Sequence, residues 1–182
     1  MTLSLDQIDV VPNFPKDGIN FYDIQSLLGK PDIWHNVIDD LVARVIESEA
    51  DIVVGIESRG FLTGVPVAQS LNLPFGMVRK KGKLPGKVIA QEYELEYGTD
   101  TIEIQESLIK PGAKIAIMDD LLATGGTMKA TGDLIRKIGG EVVLATCIIE
   151  LHELGGRAKL DFPFQSLVQA PLDPFAEQAK SA

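Results

Sequence analysis

Two adjacent carboxylates, Asp119 and Asp120, follow directly on the apolar run "IAIM" of residues 115–118. Ionised carboxylates offer several hydrogen-bond acceptors and no donors, so an adjacent pair suits two neighbouring sugar hydroxyls or a metal ion. A helix cap would account for one aspartate and leave the second without a role. The pair therefore predicts a binding site for a diol or a cation where this apolar run ends.

The five residues that follow Leu122 carry no bulky side chain; they are Ala123, Thr124, Gly125, Gly126 and Thr127. Backbone N–H groups in such a loop can approach an anion closely, and the two threonines add hydroxyl donors. We expect a helix to begin near Gly126, with its positive N-terminal end pointing at the same anion. A carboxylate pair beside a phosphate loop predicts a site for a ribose 5-phosphate. The chain has no GxxxxGK[ST] run, and no GxGxxG sequence follows a strand.

The elements that must position this loop alternate between helices and strands. Apolar residues at a spacing of four over residues 31–48 predict an amphipathic helix, and Pro31 suits its first turn. Further helices are expected at about 60–72 and 126–138. Short apolar runs rich in β-branched residues predict strands covered on both faces, at residues 51–56, 74–79, 114–119 and 141–149. The alternation predicts an α/β fold with a central parallel sheet flanked by helices, whose ligands bind beyond the carboxyl ends of the strands.

The middle of the chain departs from this alternation. Residues 80–87, "KKGKLPGK", are basic and contain two glycines and a proline, which predicts a mobile loop. Residues 88–105 alternate in polarity around "YGTD", which predicts an antiparallel hairpin or flap. Such insertions in α/β domains often act as lids, although an ordinary surface loop remains open at this point.

Composition limits the partners and the compartment. The 182 residues carry a net charge of −9, with 26 acidic against 17 basic residues, which argues against general binding to nucleic acid or to an acidic membrane. The single cysteine, Cys147, lies in the apolar run "VVLATCII", so we expect a buried structural thiol and a reducing compartment. We see no secretory signal and no run of membrane-spanning length, and we expect a cytoplasmic protein.

The stretch "IAIMDDLLATGGTMKA" resembles the phosphoribosyl pyrophosphate (PRPP) motif of the type I phosphoribosyltransferases, and its form is similar to that of the members that use adenine. The resemblance runs from about Pro12 to Leu167. Its further segments keep the family's order, at residues 14–24, 55–64, 79–86, 94–105 and 162–167. The resemblance implies transfer of ribose 5-phosphate from PRPP to adenine, giving AMP and pyrophosphate, with Mg²⁺ bound to the PRPP rather than directly to the protein.

The same resemblance implies an architecture. It implies one phosphoribosyltransferase domain over residues 1–182, with a flexible flap at about 80–105. A small hood is expected from residues 1–30 together with 160–175. The resemblance and the basic flap loop both imply a homodimer, in which some of the loop's cations reach the neighbouring subunit's site.

The resemblance also assigns the phosphate and ribose contacts. Asp119 and Asp120 hold the ribose hydroxyls, and Ala123 to Thr127 cradle the 5-phosphate. The pyrophosphate is assigned to Glu57, Ser58, Arg59, Gly60, Arg79, Lys80 and Lys83. Arg59 is expected to act in catalysis, because departing pyrophosphate needs its charge neutralised. A solvated basic loop remains the alternative for the last three residues.

The base contacts and the proton acceptor are implied in the same way. Glu96 is the proton-handling residue on the purine, with Tyr97 beside it in the flap, although Glu96 is also one acid of three in "EYELEYG". Phe21 is expected to stack on the base, while backbone groups of Asn20 and Tyr22 read its edge. Many relatives have an aliphatic and a basic residue at the positions of Asn20 and Tyr22. Without the resemblance, Phe21 would be interpreted as a core residue.

Two rival functions stay open. The first keeps the reaction and changes the base to hypoxanthine, guanine or xanthine, for which Asn20 leaves room. The second is a regulator that senses PRPP and binds DNA without catalysis. Such regulators carry an added DNA-binding domain and a basic surface, whereas this chain is acidic and has only about thirty residues before its first long helix.

Overall fold

A seven-stranded mixed sheet forms the centre of the structure, a computed structural model that describes residues 3–95 and 98–175. The elements are β1 (Asp9–Pro12), β2 (Asn20–Asp23), α1 (Gln25–Leu28), α2 (Pro31–Ser48), β3 (Ile52–Ile56), α3 (Gly60–Leu71), β4 (Phe75–Lys80), β5 (Val88–Leu95), β6 (Gly98–Gln105), β7 (Lys114–Leu122), α4 (Gly126–Lys137), β8 (Glu141–Leu151) and β9 (Phe164–Ala170). The strand order is β5-β6-β4-β3-β7-β8-β9, in which β4, β3, β7, β8 and β9 are parallel. The predicted parallel sheet is confirmed, with an antiparallel pair added at one edge.

Helices cover both faces of the sheet, as the unbroken apolar strands predict. One hydrophobic core joins α2 and α3 to one face and contains Val53 and Ala116. A second core joins α4 to the other face and contains the next residues along the same strands, Val54 and Ile117. Successive side chains of a strand point to opposite faces, so a strand buried on both sides is apolar at every position.

Helix α2 has the bounds that its periodicity predicts. Pro31 is its first residue, where a missing N–H costs no helical hydrogen bond. Val37, Leu41 and Val45 lie on one face and are almost completely buried. The helix ends at Ser48, because the next residue, Glu49, has a left-handed φ of 54° that stops further helical hydrogen bonding.

The predicted hairpin is also present. Strands β5 and β6 pair antiparallel: Val88 lies opposite Gln105 at one end of the pairing, and Leu95 lies opposite Gly98 at the other. Strand β6 also pairs antiparallel with β4. Glu96 and Tyr97, which come between Leu95 and Gly98 in the sequence, lie outside the described residues.

Strand β7 is longer than predicted, and the difference concerns the two carboxylates. Its pairing with β3 ends where Met118 lies opposite Gly55. Its pairing with β8 continues further, to Leu122 opposite Glu150. Asp119 and Asp120 therefore lie within a strand that is hydrogen-bonded on one side only. The early end of β3 opens a notch beside them.

The N-terminal strands contact the segment that follows β9. Residues 164–170, which were expected in the hood, form the outermost strand β9 of the central sheet. Strands β1 and β2 form a separate two-stranded antiparallel sheet. The Tyr22 hydroxyl donates to the Pro171 carbonyl oxygen at 2.7 Å, and the Asn20 amide donates to that of Leu172 at 3.1 Å. These bonds fasten the N-terminal sheet to the segment that follows β9.

Candidate active site

A cavity of about 390 Å³ lies at the carboxyl ends of β3 and β7, in the notch where β3 ends. It is lined by residues 56–59 from one side and by residues 119–128 from the other. The structure thus brings Glu57, Ser58 and Arg59 to the same space as the carboxylate pair and the small-residue loop. Gly60 lies beneath, where a Cβ atom would come within 2.5 Å of the Met118 carbonyl oxygen.

The loop from Ala123 to Thr127 leads directly into α4, as predicted. Gly125 has a φ of 80°, which glycine adopts at little cost, and α4 begins at Gly126. The first N–H groups of an α-helix have no carbonyl partner inside it, and they point out of its N-terminus. The Thr127 hydroxyl lies 3.3 Å from that of Tyr93 on β5, so the loop also touches the hairpin. These features suit an anion bound at the loop.

The two carboxylates have different surroundings. Asp120 is 5% exposed and forms an ion pair with Arg59, whose Nε lies 2.7 Å from Asp120 Oδ2. Asp119 accepts a hydrogen bond from the Asp120 backbone N–H at 2.9 Å. Burial, and after it the charge of Asp120, raises the pKa of the Asp119 carboxyl well above its usual range. Arg59 also lies 5.2 Å from the centre of the Phe21 ring, which links β2 to the carboxylates.

One carboxylate, that of Glu57, pairs with two of the basic side chains assigned to the pyrophosphate, Arg79 and Lys83. Glu57, whose side chain is only 11% exposed, pairs with Lys83 Nζ at 2.6 Å and with Arg79 at 3.3 Å. It also accepts the Lys80 backbone N–H at 2.9 Å. The Lys80 ammonium instead pairs with Asp100 at 3.1 Å and borders a second, smaller cavity. Arg79 and Lys83 do not line the cavity that holds Arg59; they gather around Glu57 beside it.

This arrangement controls the ionisation of Glu57. Burial alone would raise its pKa, but hydrogen bonds from Lys83, Lys80 and Arg79 outweigh burial and lower the pKa to about 2. The sequence offered no sign that a glutamate assigned to the pyrophosphate loop serves as the counter-ion of two flap cations.

We expect the Glu57→Gln substitution to show this interaction in acid. Because the folded-state pKa lies below the ordinary 4.5, the carboxylate stabilises the fold fully above pH 5, and this stabilisation is lost as the pH falls toward 2. The lowering of the pKa from 4.5 to about 2 corresponds to about 3.5 kcal/mol, since a difference of one in pKa is worth ~1.4 kcal/mol. Urea unfolding at several pH values should therefore show the wild type more stable at pH 7 and the two proteins converging below pH 3. A gap that is constant with pH would contradict the ion-pair explanation.

Of the three predicted base residues, Asn20 lines a second, larger cavity, whereas Phe21 and Tyr22 do not. This space of about 920 Å³ is lined by residues 18–20, by Leu151, Leu154 and Leu172, and by Ala123, Thr124 and Gly126 of the loop. Asn20 lines it, with its amide engaged by Leu172 as described above. Tyr22 is 4% exposed and faces the chain's own C-terminal segment. Phe21 is partly buried and packs edge-on against Phe14, with the ring centres 5.2 Å apart.

The single cysteine lies in the core of the sheet. Cys147 is fully buried, as predicted, and pairs with Asp119 across β7 and β8. In residues 3–95 and 98–175, no group of three or more His, Cys, Asp or Glu side chains is arranged to hold a metal ion. No helix in that part of the chain combines the length and the apolar character needed to cross a membrane.

One residue beside the site escaped the sequence predictions. A Cβ atom at Gly125 would come within 2.5 Å of the Gly156 carbonyl oxygen, so these two glycines hold the loop and the segment after β8 in backbone contact. The only sequence signal was the glycine pair at residues 155–156, which resembles any turn.

Comparison with known proteins identifies the class. The phosphoribosyl transferase domain model matches residues 32–170, the part of the chain that holds the central sheet and both sides of the cavity. Among similar proteins, the adenine phosphoribosyltransferase of Rhodospirillum rubrum is 53% identical over 163 residues, which cover 90% of this chain and 95% of the relative. That of Gluconobacter oxydans is 54% identical over 159 residues, covering 87% and 88%. The chain belongs to the adenine phosphoribosyltransferases within the phosphoribosyl transferase domain family.

Solved structures agree. The crystal structure of adenine phosphoribosyltransferase from Thermoanaerobacter pseudethanolicus superposes with a TM-score of 0.88 at 41% identity, covering 91% of this chain and 96% of the other. The Saccharomyces cerevisiae enzyme gives 0.86 at 38% identity, covering 90% and 96%, and was solved in complex with an imino-altritol bisphosphate and adenine. The type I phosphoribosyltransferase fold expected from the sequence is confirmed.

Proposed function

We propose that this chain transfers the 5-phosphoribosyl group of PRPP to adenine, giving AMP and diphosphate in purine salvage. The observation that carries the proposal is the single cavity in which the carboxylate pair, the small-residue loop and Arg59 face one another. Membership of the adenine phosphoribosyltransferases supports the choice of reaction, and the adenine bound to the yeast relative supports the choice of base.

In the proposed mechanism, two parts of the cavity fix the sugar. The N–H groups of the 123–127 loop and the start of α4 bind the 5-phosphate. The Asp119 and Asp120 carboxylates accept hydrogen bonds from the ribose hydroxyls. Fixing the sugar at both ends positions C1 for attack. The rate then increases because the reactants are oriented, and a strong nucleophile is not needed.

The reacting bond lies between C1 and the diphosphate oxygen. As it breaks, negative charge grows on the diphosphate, and Arg59 neutralises it from residues 57–60. In the described structure Arg59 is paired with Asp120, so we propose that Arg59 moves to the diphosphate when PRPP arrives. Arg79, Lys80 and Lys83 are proposed to provide further positive charge from the flap loop, once released from Glu57 and Asp100.

We propose that the cavity would take PRPP together with Mg²⁺. The cation prefers oxygen ligands, which the diphosphate supplies, and the carboxylates of Asp119 and Asp120 stand in the same cavity. Bound Mg²⁺ would add Lewis-acid stabilisation of the leaving diphosphate.

Adenine is proposed to enter from the hood side, with Phe21 against its face and backbone groups of Asn20 and Tyr22 along its edge. A ring nitrogen of adenine bonds to C1 and loses its proton, and Glu96, under the closed flap with Tyr97, is the proposed acceptor. The Asn20 amide is engaged by the Leu172 carbonyl oxygen, which favours unaltered adenine preference. A Glu96→Gln enzyme that keeps the wild-type pH profile of kcat would contradict the role of Glu96.

We further propose a cytoplasmic homodimer. Leu62 and Val65 on α3 and Met77 on β4 are large apolar side chains, 42%, 46% and 39% exposed, and Arg79 follows two residues after Met77 on the same strand. A partner subunit covering this face would explain their exposure. Sedimentation equilibrium of the purified protein measures the subunit number, and a monomer at micromolar concentration would contradict the dimer.

The test of the proposed function is product formation with PRPP and Mg²⁺, offering adenine, hypoxanthine, guanine and xanthine in separate reactions. We expect AMP from adenine and no nucleotide from the oxopurines. Nucleotide from an oxopurine would contradict the assigned base pocket. Binding of PRPP without any turnover would favour the sensing regulator, which a DNA-binding measurement at moderate salt would then examine.

A further inference from the structure

The 5-phosphate loop rests on the segment that follows β8. A Cβ atom at Gly156 would overlap the Ala123 carbonyl oxygen and lie 2.9 Å from the Gly125 nitrogen. In the reverse direction, a Cβ atom at Gly125 would meet the Gly156 carbonyl oxygen at 2.5 Å. Real Cβ atoms do not approach backbone so closely, and the two backbones touch because neither position has a side chain. The position of Gly156 therefore limits where residues 123–125 can lie.

Gly156 is itself held by its neighbour. Arg157 donates through Nε and Nη2 to the two carboxylate oxygens of Glu150, at 2.9 and 2.5 Å. Its Nη1 donates to the Phe164 carbonyl oxygen at 3.0 Å, and its guanidinium lies 4.7 Å from the centre of the Phe164 ring. A planar guanidinium with these partners has little freedom to move.

The acceptor of this arrangement is well buried. Glu150 is 4% exposed and also accepts the Ser166 hydroxyl at 2.8 Å, and the hydrogen bonds from Arg157 hold the pKa of Glu150 below its usual value. Removing one partner of such a pair leaves a buried charge without compensation.

These contacts close a ring around the loop. Glu150 on β8 pairs in register with Leu122, the last residue of β7 before the loop. Glu150 forms the ion pair with Arg157, and Arg157 is bonded directly to Gly156 in the chain. The backbone of Gly156 in turn contacts residues 123–125. The loop is thus fixed at its start by the sheet and along its side by Gly156.

We propose that Arg157, held by Glu150, is a positioning residue for the 5-phosphate loop, acting through the backbone of Gly156. The inference rests on the proposed function, because it assumes that the loop binds the 5-phosphate. Loss of the ion pair frees Gly156 to shift, the loop N–H groups lose their alignment, and the 5-phosphate binds more weakly. Residues 57–60, which are proposed to bind the diphosphate, lie on the other side of the cavity and are unaffected.

The experiment compares binding of ribose 5-phosphate with binding of magnesium diphosphate, both by calorimetry. We expect Arg157→Met to weaken ribose 5-phosphate by about 10- to 100-fold, since misplacing a binding group by ~1 Å can have an effect of that size. Binding of magnesium diphosphate should not change. Arg157→Lys should recover part of the ribose 5-phosphate affinity, because the charge is kept and the bidentate geometry is lost.

Arg136→Met is the matched control. Arg136 also forms a two-pronged pair with a carboxylate, that of Asp161 at 2.8 and 3.0 Å, and also lies over an aromatic ring, that of Phe162 at 5.5 Å. It stands near the end of α4, away from the loop, so both affinities should stay at the wild-type level. Equal weakening of both ligands by Arg157→Met, or no weakening of either, would overturn the proposal.

A second pair of variants keeps the inference testable if Arg157→Met does not fold. Gly156→Ala places a methyl group against Ala123 and should weaken ribose 5-phosphate selectively, whereas a Cβ atom at Gly155 has no neighbour within 4 Å. Gly155→Ala should therefore lower the melting temperature through its φ of 64° without selective loss of affinity. Equal affinities for the two variants would overturn the inference. A wild-type chain that fails to bind ribose 5-phosphate would contradict the proposed function itself.

Discussion

Replacing Arg59 with glutamine is expected to lower kcat by about 10²- to 10³-fold, the loss typical of removing one donor to a developing negative charge. Arg59 is the cation that the structure places inside the cavity with the carboxylate pair and the phosphate loop, whereas Arg79 and Lys83 pair with Glu57 beside it. Steady-state rates at saturating PRPP and adenine measure the effect. Arg44→Gln, on α2, removes an arginine whose side chain bonds only Gln165 among its described hydrogen bonds, and it should keep the wild-type rate.

The ion pair between Arg59 and Asp120 offers a second explanation that can be separated from the first. Glutamine at position 59 leaves the buried Asp120 carboxylate without its partner, which could lower activity by itself. The double variant Arg59→Gln/Asp120→Asn removes both charges. If Arg59 serves only to neutralise Asp120, the double variant recovers the rate of Asp120→Asn alone. We expect it to stay slow, because the leaving diphosphate still lacks its cation.

Asp119→Asn should lower activity while raising stability. Hydrogen bonds to charged groups contribute about 1.5–3 kcal/mol, so loss of the carboxylate should reduce kcat/KM for PRPP by about 10- to 150-fold. The pKa of Asp119 is raised in the folded protein, so its ionised form opposes folding as the pH rises above the unfolded-state value. Asparagine has no charge to desolvate, and the melting temperature at pH 7 should therefore increase.

The control for this prediction is Asp39→Asn, which changes an exposed aspartate on α2 in the same way. It should leave both kcat/KM and the melting temperature unchanged. The stability gain of Asp119→Asn should also shrink as the pH falls through the range where the Asp119 carboxyl becomes protonated. An Asp119→Asn enzyme with full activity would contradict the assigned ribose contact, and one that is less stable at pH 7 would contradict the pKa shift.

Local patterns were enough to predict the scaffold. The spacing of four in α2 and the unbroken apolar residues of β3 and β7 reflect burial on one face and on two faces, and burial on that scale dominates the choice of secondary structure. The loop from Ala123 to Thr127 was also predictable, because backbone approach to an anion requires small residues wherever the loop lies. Burial in the one case and close backbone approach in the other both constrain residues that are neighbours in the sequence.

What could not be predicted depends on residues distant in sequence. The pairing of Glu57 with Lys83 joins positions 26 residues apart, and whether a basic loop is free or held by a carboxylate cannot be inferred from its composition. The extension of β7 through Asp120 depends on hydrogen bonds from β8, since two adjacent aspartates are poor strand formers. Gly156 matters only because the fold brings it against Ala123. Such contacts need the tertiary structure.

Labelling of the buried Cys147 thiol can report local opening of the central sheet. Cys147 is the chain's single cysteine, has no exposed surface, and pairs in register with Asp119 on the neighbouring strand. A thiol reagent can reach Cys147 only when the core between α4 and strands β7 and β8 opens. The labelling rate therefore measures the free energy of that opening. A ligand that binds only the closed form should slow labelling by the factor 1 + [L]/Kd. Occupancy of the cavity could thus be followed by labelling kinetics, without turnover and without an introduced probe.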